Sequence, residues 1–166
     1  MKTLAAVLLL AVYGLAQQSS TPTALHEACG PQKVNFDTSV SDDKPLAQPE
    51  PGKSLVFVAQ ELPMITLKVG VDGAWVGATH GHSLVSFSVD PGEHHMCVRW
   101  QSHRGFSRMV SFAHLNAEPG KIYYFRARIY GLGAVNPEYL DLDPIDSDEG
   151  QYLVASSLLS VSHPKQ

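Results

Sequence analysis

The chain has 166 residues, of which 44% are hydrophobic and 17% are charged, a composition that predicts one globular domain with a single core. Its formal net charge is −4 and its pI is near 6.0, so electrostatics does not favour nucleic acid or an anionic membrane surface as a partner. A membrane-spanning helix needs about 20 apolar residues, and no run in the sequence reaches that length, so we expect no membrane span.

The first segment, residues 1–16, has the three-part pattern of a secretory signal peptide. Lys2 supplies the positive start, Leu4 to Val12 form the apolar stretch, and residues 14–16 (Gly-Leu-Ala) form a small-x-small cleavage site. The mature protein is therefore expected to be exported and soluble, in the periplasm or outside the cell.

The two cysteines, Cys29 and Cys97, are interpreted from this expected export. An even number of cysteines in an oxidising compartment favours one disulfide bond, and the alternative is a pair of buried thiols. Closing so long a loop stabilises a fold by about 4 kcal/mol in the chain-entropy model.

The domain organisation follows from changes in composition along the chain. Residues 17–53 are predicted to be an N-terminal extension that ends in a proline-rich linker, 42–53, with the sequence DDKPLAQPEPGK. The folded domain is expected to span residues 54–160, and residues 161–166 are expected to be a frayed tail.

Within that domain, apolar patterning predicts strands rather than helices. Leu55 to Ala59 form a continuous apolar run, which is typical of a strand buried on both faces, and residues 65–71 alternate as a half-buried strand does. Asp72-Gly73 predicts a hairpin with a type I′ turn, and Pro91-Gly92 predicts a second hairpin. Further strand candidates are 84–89, 94–100, 108–115 and 121–130. Strands at this spacing predict a mainly β, antiparallel sandwich or barrel.

One short helix is predicted near the C-terminus. Asp146 followed by Glu149 resembles a capping box, which places acidic side chains at the positive end of a helix. The helix is expected over residues 151–157, with Tyr152, Leu153 and Ser156 on one face.

Several runs in order resemble a family of exported bacterial proteins catalogued as domain of unknown function 2846. They are GKSLVF (52–57), VGVDGAWVGA (69–78), VDPGEHHMCVRWQS (89–102), GKIYYFR (120–126) and LDPIDSDEGQYLVASS (142–157). The VDG, VG and PGEH elements also look like PEGA domains, which are small surface β-sandwiches. Both resemblances imply an immunoglobulin-like or prealbumin-like sandwich, and neither implies an activity or catalytic residues.

Histidines and acidic residues are the candidates for metal chemistry. His80 and His82 lie in a predicted hairpin loop, where two imidazoles are weak candidates for part of a zinc or copper site. His94 and His95 are neighbours in a strand and point to opposite faces, so they do not ligate one ion. The acidic residues 141–149 fit no register of an EF-hand loop, so we predict helix capping and a solvated surface there, with no metal and no cofactor.

The strand at 121–130 supplies the candidate binding surface. One face carries apolar side chains, and the other carries Tyr124, Arg126, Arg128 and Tyr130. If Arg99 lies on a strand paired with this one, it joins the same patch. Tyrosine and arginine are enriched in recognition surfaces, although a solvated sandwich face covered by amphipathic side chains explains the same pattern.

No nucleophile motif such as Gly-x-Ser-x-Gly appears, so the sequence favours a protein that is not an enzyme. The expected function is that of an exported, monomeric binding or accessory module with a protein or glycan partner in the cell envelope. The alternative is a small metal-dependent or hydrolytic enzyme that uses histidine and acidic loop residues.

Overall fold

The computed structural model describes residues 28–43, 48–102, 109–131 and 139–165. The predicted signal peptide lies outside these residues. The described elements in chain order are β1 (Phe36–Ser41), β2 (Ser54–Gln60), β3 (Thr66–Val71), β4 (Ala74–His80), β5 (Ser83–Val89), β6 (Gly92–Trp100), β7 (Val110–Ala117), β8 (Ile122–Tyr130), β9 (Tyr139–Ile145), α1 (Ser147–Ser156) and β10 (Leu158–Pro164).

The strands form two sheets that pack face to face as a β-sandwich, which confirms the predicted fold class. In the described residues the large sheet has the order β1-β10-β5-β2-β8-β9, and the small sheet has the order β4-β3-β6-β7. Most pairings are antiparallel, and β2–β8 and β5–β10 are parallel. The main core fills the space between the sheets with aliphatic side chains from both, including Val58, Val69, Met96, Phe125 and Leu142.

Part of the outer face of the large sheet is buried as well. Leu55 and Phe57 on β2 point away from the main core and pack with Leu153 of α1 in a second apolar cluster. All seven residues of β2 are buried, so the prediction of a strand covered on both faces is confirmed.

The predicted Asp72-Gly73 hairpin is confirmed. Asp72 has φ 49° and Gly73 has φ 79°, as a type I′ turn requires, and β3 pairs antiparallel with β4. Pro91-Gly92 differs, because β5 before it lies in the large sheet and β6 after it lies in the small sheet. That turn connects the two sheets and does not form a hairpin. A Pro-Gly pair predicts that the chain reverses, but not which strands then pair.

The domain boundaries also differ from those expected. Strand β1 precedes residue 54, and β10 extends to Pro164 through the segment expected to be a frayed tail. The two strands pair antiparallel along their whole length, from Phe36–Pro164 to Ser41–Leu159. Neither has a strong apolar alternation, and each supplies the ladder hydrogen bonds that the other needs, so the pairing is visible only in the folded chain.

Helix α1 is longer than predicted and begins earlier. The Asp146 carboxylate accepts hydrogen bonds from the backbone N–H groups of Asp148 (3.0 Å) and Glu149 (2.9 Å), so the predicted N-terminal cap is confirmed. The buried face consists of Gly150 and Leu153. Tyr152 was expected beside Leu153 but is 69% exposed, because the helix turns the smaller Gly150 toward the sheet.

The outer face of the small sheet is partly covered by residues 28–34, which we call the N-terminal strap. Cys29 in the strap forms a disulfide bond with Cys97 of β6, across a sequence separation of 68, so the predicted disulfide is confirmed. The Trp75 indole N–H donates to the Pro31 carbonyl at 2.9 Å. In the described part of the chain, no helix is long and apolar enough to cross a membrane.

Candidate functional site

The outward face of β8 carries the predicted surface residues, and their positions follow from strand alternation. Phe125, Ala127 and Ile129 point into the main core, so the residues between them point outward. Strand β9 pairs with β8 and places an outward residue opposite each of these, giving the rows Tyr124–Ile145, Arg126–Asp143, Arg128–Asp141 and Tyr130–Tyr139.

Two of the predicted surface residues are used inside the fold. A Cβ atom at Gly150 would clash with the Tyr124 ring, which shows how closely α1 covers that side chain. Burial raises the pKa of Tyr124. The Arg126 guanidinium forms an ion pair and a hydrogen bond with Glu149 of α1 and lies 4.0 Å from the Glu61 carboxylate. Tyr124 and Arg126 therefore anchor the helix.

The other two predicted residues, Arg128 and Tyr130, stay accessible, and Tyr139 of β9 lies beside them. The Tyr130 and Tyr139 rings stack with centroids 5.1 Å apart and an interplanar angle of 19°. The Arg128 guanidinium lies 5.1 Å from the Tyr130 ring centroid, and its Nη2 donates to Asp143 Oδ2 at 2.7 Å. Tyr139 is 46% exposed. We call Arg128, Tyr130 and Tyr139 the aromatic platform.

The ion pair with Asp143 holds Arg128 in place on this platform. The hydrogen bond to the Asp143 carboxylate raises the pKa of Arg128, against partial burial, which lowers it. The guanidinium therefore stays charged and is oriented along the face of Tyr130, where the ring quadrupole favours a cation.

Arg99 does not join this surface. It lies on β6, which pairs with β3 and β7 in the small sheet, and its register partner there is Lys68. Arg99 was expected in the patch only if its strand paired with the strand of Arg126 and Arg128. The two strands, β6 and β8, lie in different sheets. Sequence periodicity predicts which way a residue points within its strand but not which sheet that strand joins.

His80 and His82 occupy the connection between the two sheets rather than a hairpin. His80 ends β4 of the small sheet, and His82 immediately precedes β5 of the large sheet; both are exposed. His80 Nδ1 is 3.0 Å from the Thr66 hydroxyl. In the described ranges, no group of three or more histidine, cysteine, aspartate or glutamate side chains is arranged to hold a metal ion.

His94 contacts an acceptor in each of two turns, Asp72 between β3 and β4 and Asp90 between β5 and β6. Its Nδ1 lies 2.6 Å from Asp72 Oδ2 and its Nε2 lies 2.7 Å from the Asp90 carbonyl. Partial burial alone would lower the pKa of His94, but the hydrogen bonds and charges of Asp72 and Asp90 outweigh it and raise that pKa. Both ring nitrogens face acceptors, so the protonated imidazole satisfies both contacts and links the two turns.

The acidic residues near the C-terminus have separate structural partners. Asp146 caps α1, Asp143 pairs with Arg128, and the Asp141 carboxylate accepts from the Leu142 N–H at 3.0 Å. The expected capping role is confirmed for Asp146.

Tyr139 was not predicted as a site residue, because residues 139–145 were not assigned to a strand. The run YLDLDPI does alternate, with Leu140 and Leu142 buried, but Pro144 and the three acidic or aromatic residues on its other face mask the strand signal. Only the β8–β9 register brings Tyr139 beside Tyr130.

No protein-family model, curated protein or solved structure matches this chain.

Proposed function

We propose that the protein is an exported, non-enzymatic binding module that presents the aromatic platform to a glycan of the cell envelope. The observation that carries the proposal is the stacked Tyr130–Tyr139 pair, with Tyr139 46% exposed and Arg128 fixed beside it. The resemblance to the exported family of domain of unknown function 2846 and the signal-peptide pattern support the export and the absence of catalysis, and the disulfide is compatible with an oxidising location.

The chemistry of the platform suits a carbohydrate. A tyrosine ring offers a flat, rigid, amphipathic contact area at low cost in side-chain entropy, and stacking on its neighbour restricts it further. Around the rings lie a fixed guanidinium donor on Arg128 and carboxylate acceptors on Asp143 and Asp141. Sugar hydroxyl groups both donate and accept hydrogen bonds, so a surface that mixes donors and acceptors around an aromatic face matches them.

The rigidity of this surface supports recognition rather than catalysis. Tyr130 and Tyr139 are held in register by β8–β9 pairing, and Arg128 is held by its ion pair, so little ordering remains to occur on binding. For the metal-dependent form of the enzymatic alternative, no group of three or more histidine, cysteine, aspartate or glutamate side chains in the described residues is arranged to hold a metal ion.

The test is co-sedimentation of the mature protein, residues 17–166, with purified peptidoglycan sacculi. We expect saturable binding that Tyr139→Ala and Tyr130→Ala each weaken by about tenfold, since a buried aromatic contact contributes about 1–2 kcal/mol. Tyr152→Ala is the matched control, because Tyr152 is also an exposed tyrosine but lies on α1, and it should bind as the native protein does.

Equal weakening by Tyr152→Ala and Tyr139→Ala would show that binding is a general surface effect. An absence of sedimentation with sacculi, together with capture of an envelope protein that depends on Tyr139, would replace the glycan with a protein partner. Retention of sacculus binding in the Tyr130→Ala, Tyr139→Ala double variant would refute the platform itself.

A further inference from the structure

A second pair of side chains lies on the outer face of the small sheet, whereas the aromatic platform lies on the outer face of the large sheet. His95 of β6 and His114 of β7 are direct register partners in an antiparallel ladder, and both point to the outer face, as their neighbour Cys97 does. Their rings are 4.4 Å apart between centroids, with an interplanar angle of 74°. His114 is exposed and His95 is half-buried.

The nitrogens of these two rings are not engaged by other side chains. His94 uses both ring nitrogens, and His80 uses Nδ1 for Thr66. In contrast, neither the His95 ring nor the His114 ring forms a hydrogen bond with a residue that the structure describes. The ring nitrogens of both histidines are therefore available to a further partner.

The spacing suits two ligands on one ion. Two imidazole nitrogens on a tetrahedral zinc ion lie about 3.4 Å apart, because each Zn–N bond is about 2.1 Å. Side chains directly opposite in an antiparallel pair start from Cβ atoms about 4.5–5.5 Å apart, and imidazole rings that already touch need little movement to reach that separation. The two strands hold both histidines in place before the ion arrives.

We propose that His95 and His114 form a two-imidazole site for a divalent transition-metal ion of the Zn²⁺ or Cu²⁺ class. No third histidine, cysteine, aspartate or glutamate of the described residues joins them, so water completes the coordination sphere. Neutral imidazole is a ligand of intermediate softness, and for such ligands Cu²⁺ binds more tightly than Zn²⁺. A site with two protein ligands keeps open positions and exchanges its ion readily.

Titration calorimetry of the tag-free mature protein with ZnCl₂ at pH 7.5 tests the site, followed by the same titration after acidification. We expect one ion per chain, and affinity at least tenfold weaker in His95→Gln and in His114→Gln. Acidification should also weaken binding, because protonated imidazole does not bind a metal. The matched control is the His80→Gln, His82→Gln double variant, which removes the same number of imidazoles from the other pair and should bind zinc as the native protein does.

A second measurement separates loss of the site from loss of the fold. Circular dichroism and the melting temperature without metal should be the same for His114→Gln and the native protein, since His114 is exposed. With Cu²⁺, electron paramagnetic resonance should show coupling to two imidazole nitrogens in the native protein and to one in His114→Gln. Zinc affinity that is unchanged in the His95→Gln, His114→Gln double variant, or absent from the native protein, overturns the proposal.

Discussion

Each sheet of the sandwich is partly covered on its outer face, but by a different kind of segment. The large sheet is covered by α1, whose Leu153 packs on Leu55 and Phe57. The small sheet is covered by the irregular N-terminal strap, which is attached by the Cys29–Cys97 disulfide. A helix satisfies most of its own backbone hydrogen bonds, whereas an irregular segment does not. The small sheet must therefore supply hydrogen-bond partners to the strap backbone, and the large sheet has no such need toward α1.

The small sheet supplies hydrogen-bond donors to the strap. Lys68 of β3 is only 2% exposed, and its Nζ donates to the Val34 carbonyl at 2.7 Å and lies 3.5 Å from the Gln32 carbonyl. The same ammonium lies 4.4 Å from the Trp75 ring centroid. Burial, together with the charge of Arg99, lowers the pKa of Lys68 to about 8. The large sheet instead meets its helix with apolar side chains and one ion pair, Arg126–Glu149.

The largest difference between the two sheets is expected when the disulfide is removed. Cys29→Ser with Cys97→Ser should lower the free energy of unfolding by about 4 kcal/mol, measured by urea denaturation, because the strap loses the covalent link that restricts the unfolded chain. A reductant should destabilise the native protein to a similar extent and leave the double variant unaffected. A loss below 1 kcal/mol would show that hydrogen bonds alone hold the strap.

The burial of Lys68 under the strap should make the stability of the protein depend on pH. The pKa is about 8 in the folded protein and 10.5 in the unfolded chain, so the unfolded chain binds more protons between these pH values. Stability should therefore rise by about 2 kcal/mol between pH 7.5 and pH 10 relative to Lys68→Met, which removes the titrating group.

The control for this effect is Lys121→Met, because Lys121 is an exposed lysine. It should retain the pH dependence of the native protein. If Lys68→Met and the native protein give parallel stability curves from pH 7.5 to pH 10, the ammonium is not desolvated under the strap.

Gly150→Ala tests the close packing of α1 on the large sheet. An added Cβ meets the Tyr124 ring, and overpacking of this kind costs up to about 3 kcal/mol, against about 1 kcal/mol gained from replacing glycine in a helix. We expect a net loss of 1–2 kcal/mol, measured by chemical denaturation. In a Tyr124→Ala background the loss should be smaller but not abolished, because the ring is removed while the Cβ of residue 124, 2.6 Å from the added carbon, remains; an unchanged loss there would place the strain elsewhere.

The smallest expected effect concerns the start of α1. Asp146→Ala removes the carboxylate that accepts from two backbone N–H groups, so it should cost about 1 kcal/mol of unfolding free energy. Asp148→Ala is the comparison, because Asp148 is acidic in the same first turn but is not the cap. It should cost a few tenths of a kcal/mol, which is typical of an interaction with the helix dipole. Equal losses would mean that charge, and not capping, stabilises the helix end.

The sequence patterns correctly predicted those elements that depend only on residues close together in the chain. The alternation of Phe125, Ala127 and Ile129 with outward polar residues, the type I′ turn at Asp72-Gly73 and the cap at Asp146 each depend on a few neighbouring residues. The disulfide was predictable as well, because two cysteines allow one pairing. Strands β1 and β10 were not, since their sequences are polar and the strands form by pairing with each other and, for β10, with β5.

For the candidate surface, strand alternation alone places Tyr124, Arg126, Arg128 and Tyr130 on one face of β8, because side chains alternate along any strand. The contacts that each of these four side chains makes depend on the packing of the folded chain. Tyr124 and Arg126 contact α1 and hold the helix on the sheet, and the β8–β9 register places Tyr139 beside Tyr130. Because β6 belongs to the small sheet, Arg99 lies outside the patch on β8, and His95 lies opposite His114 of β7. Strand pairing joins residues distant in sequence through backbone hydrogen bonds, which are the same for nearly every residue type, so the partners are chosen by the packing of the whole chain.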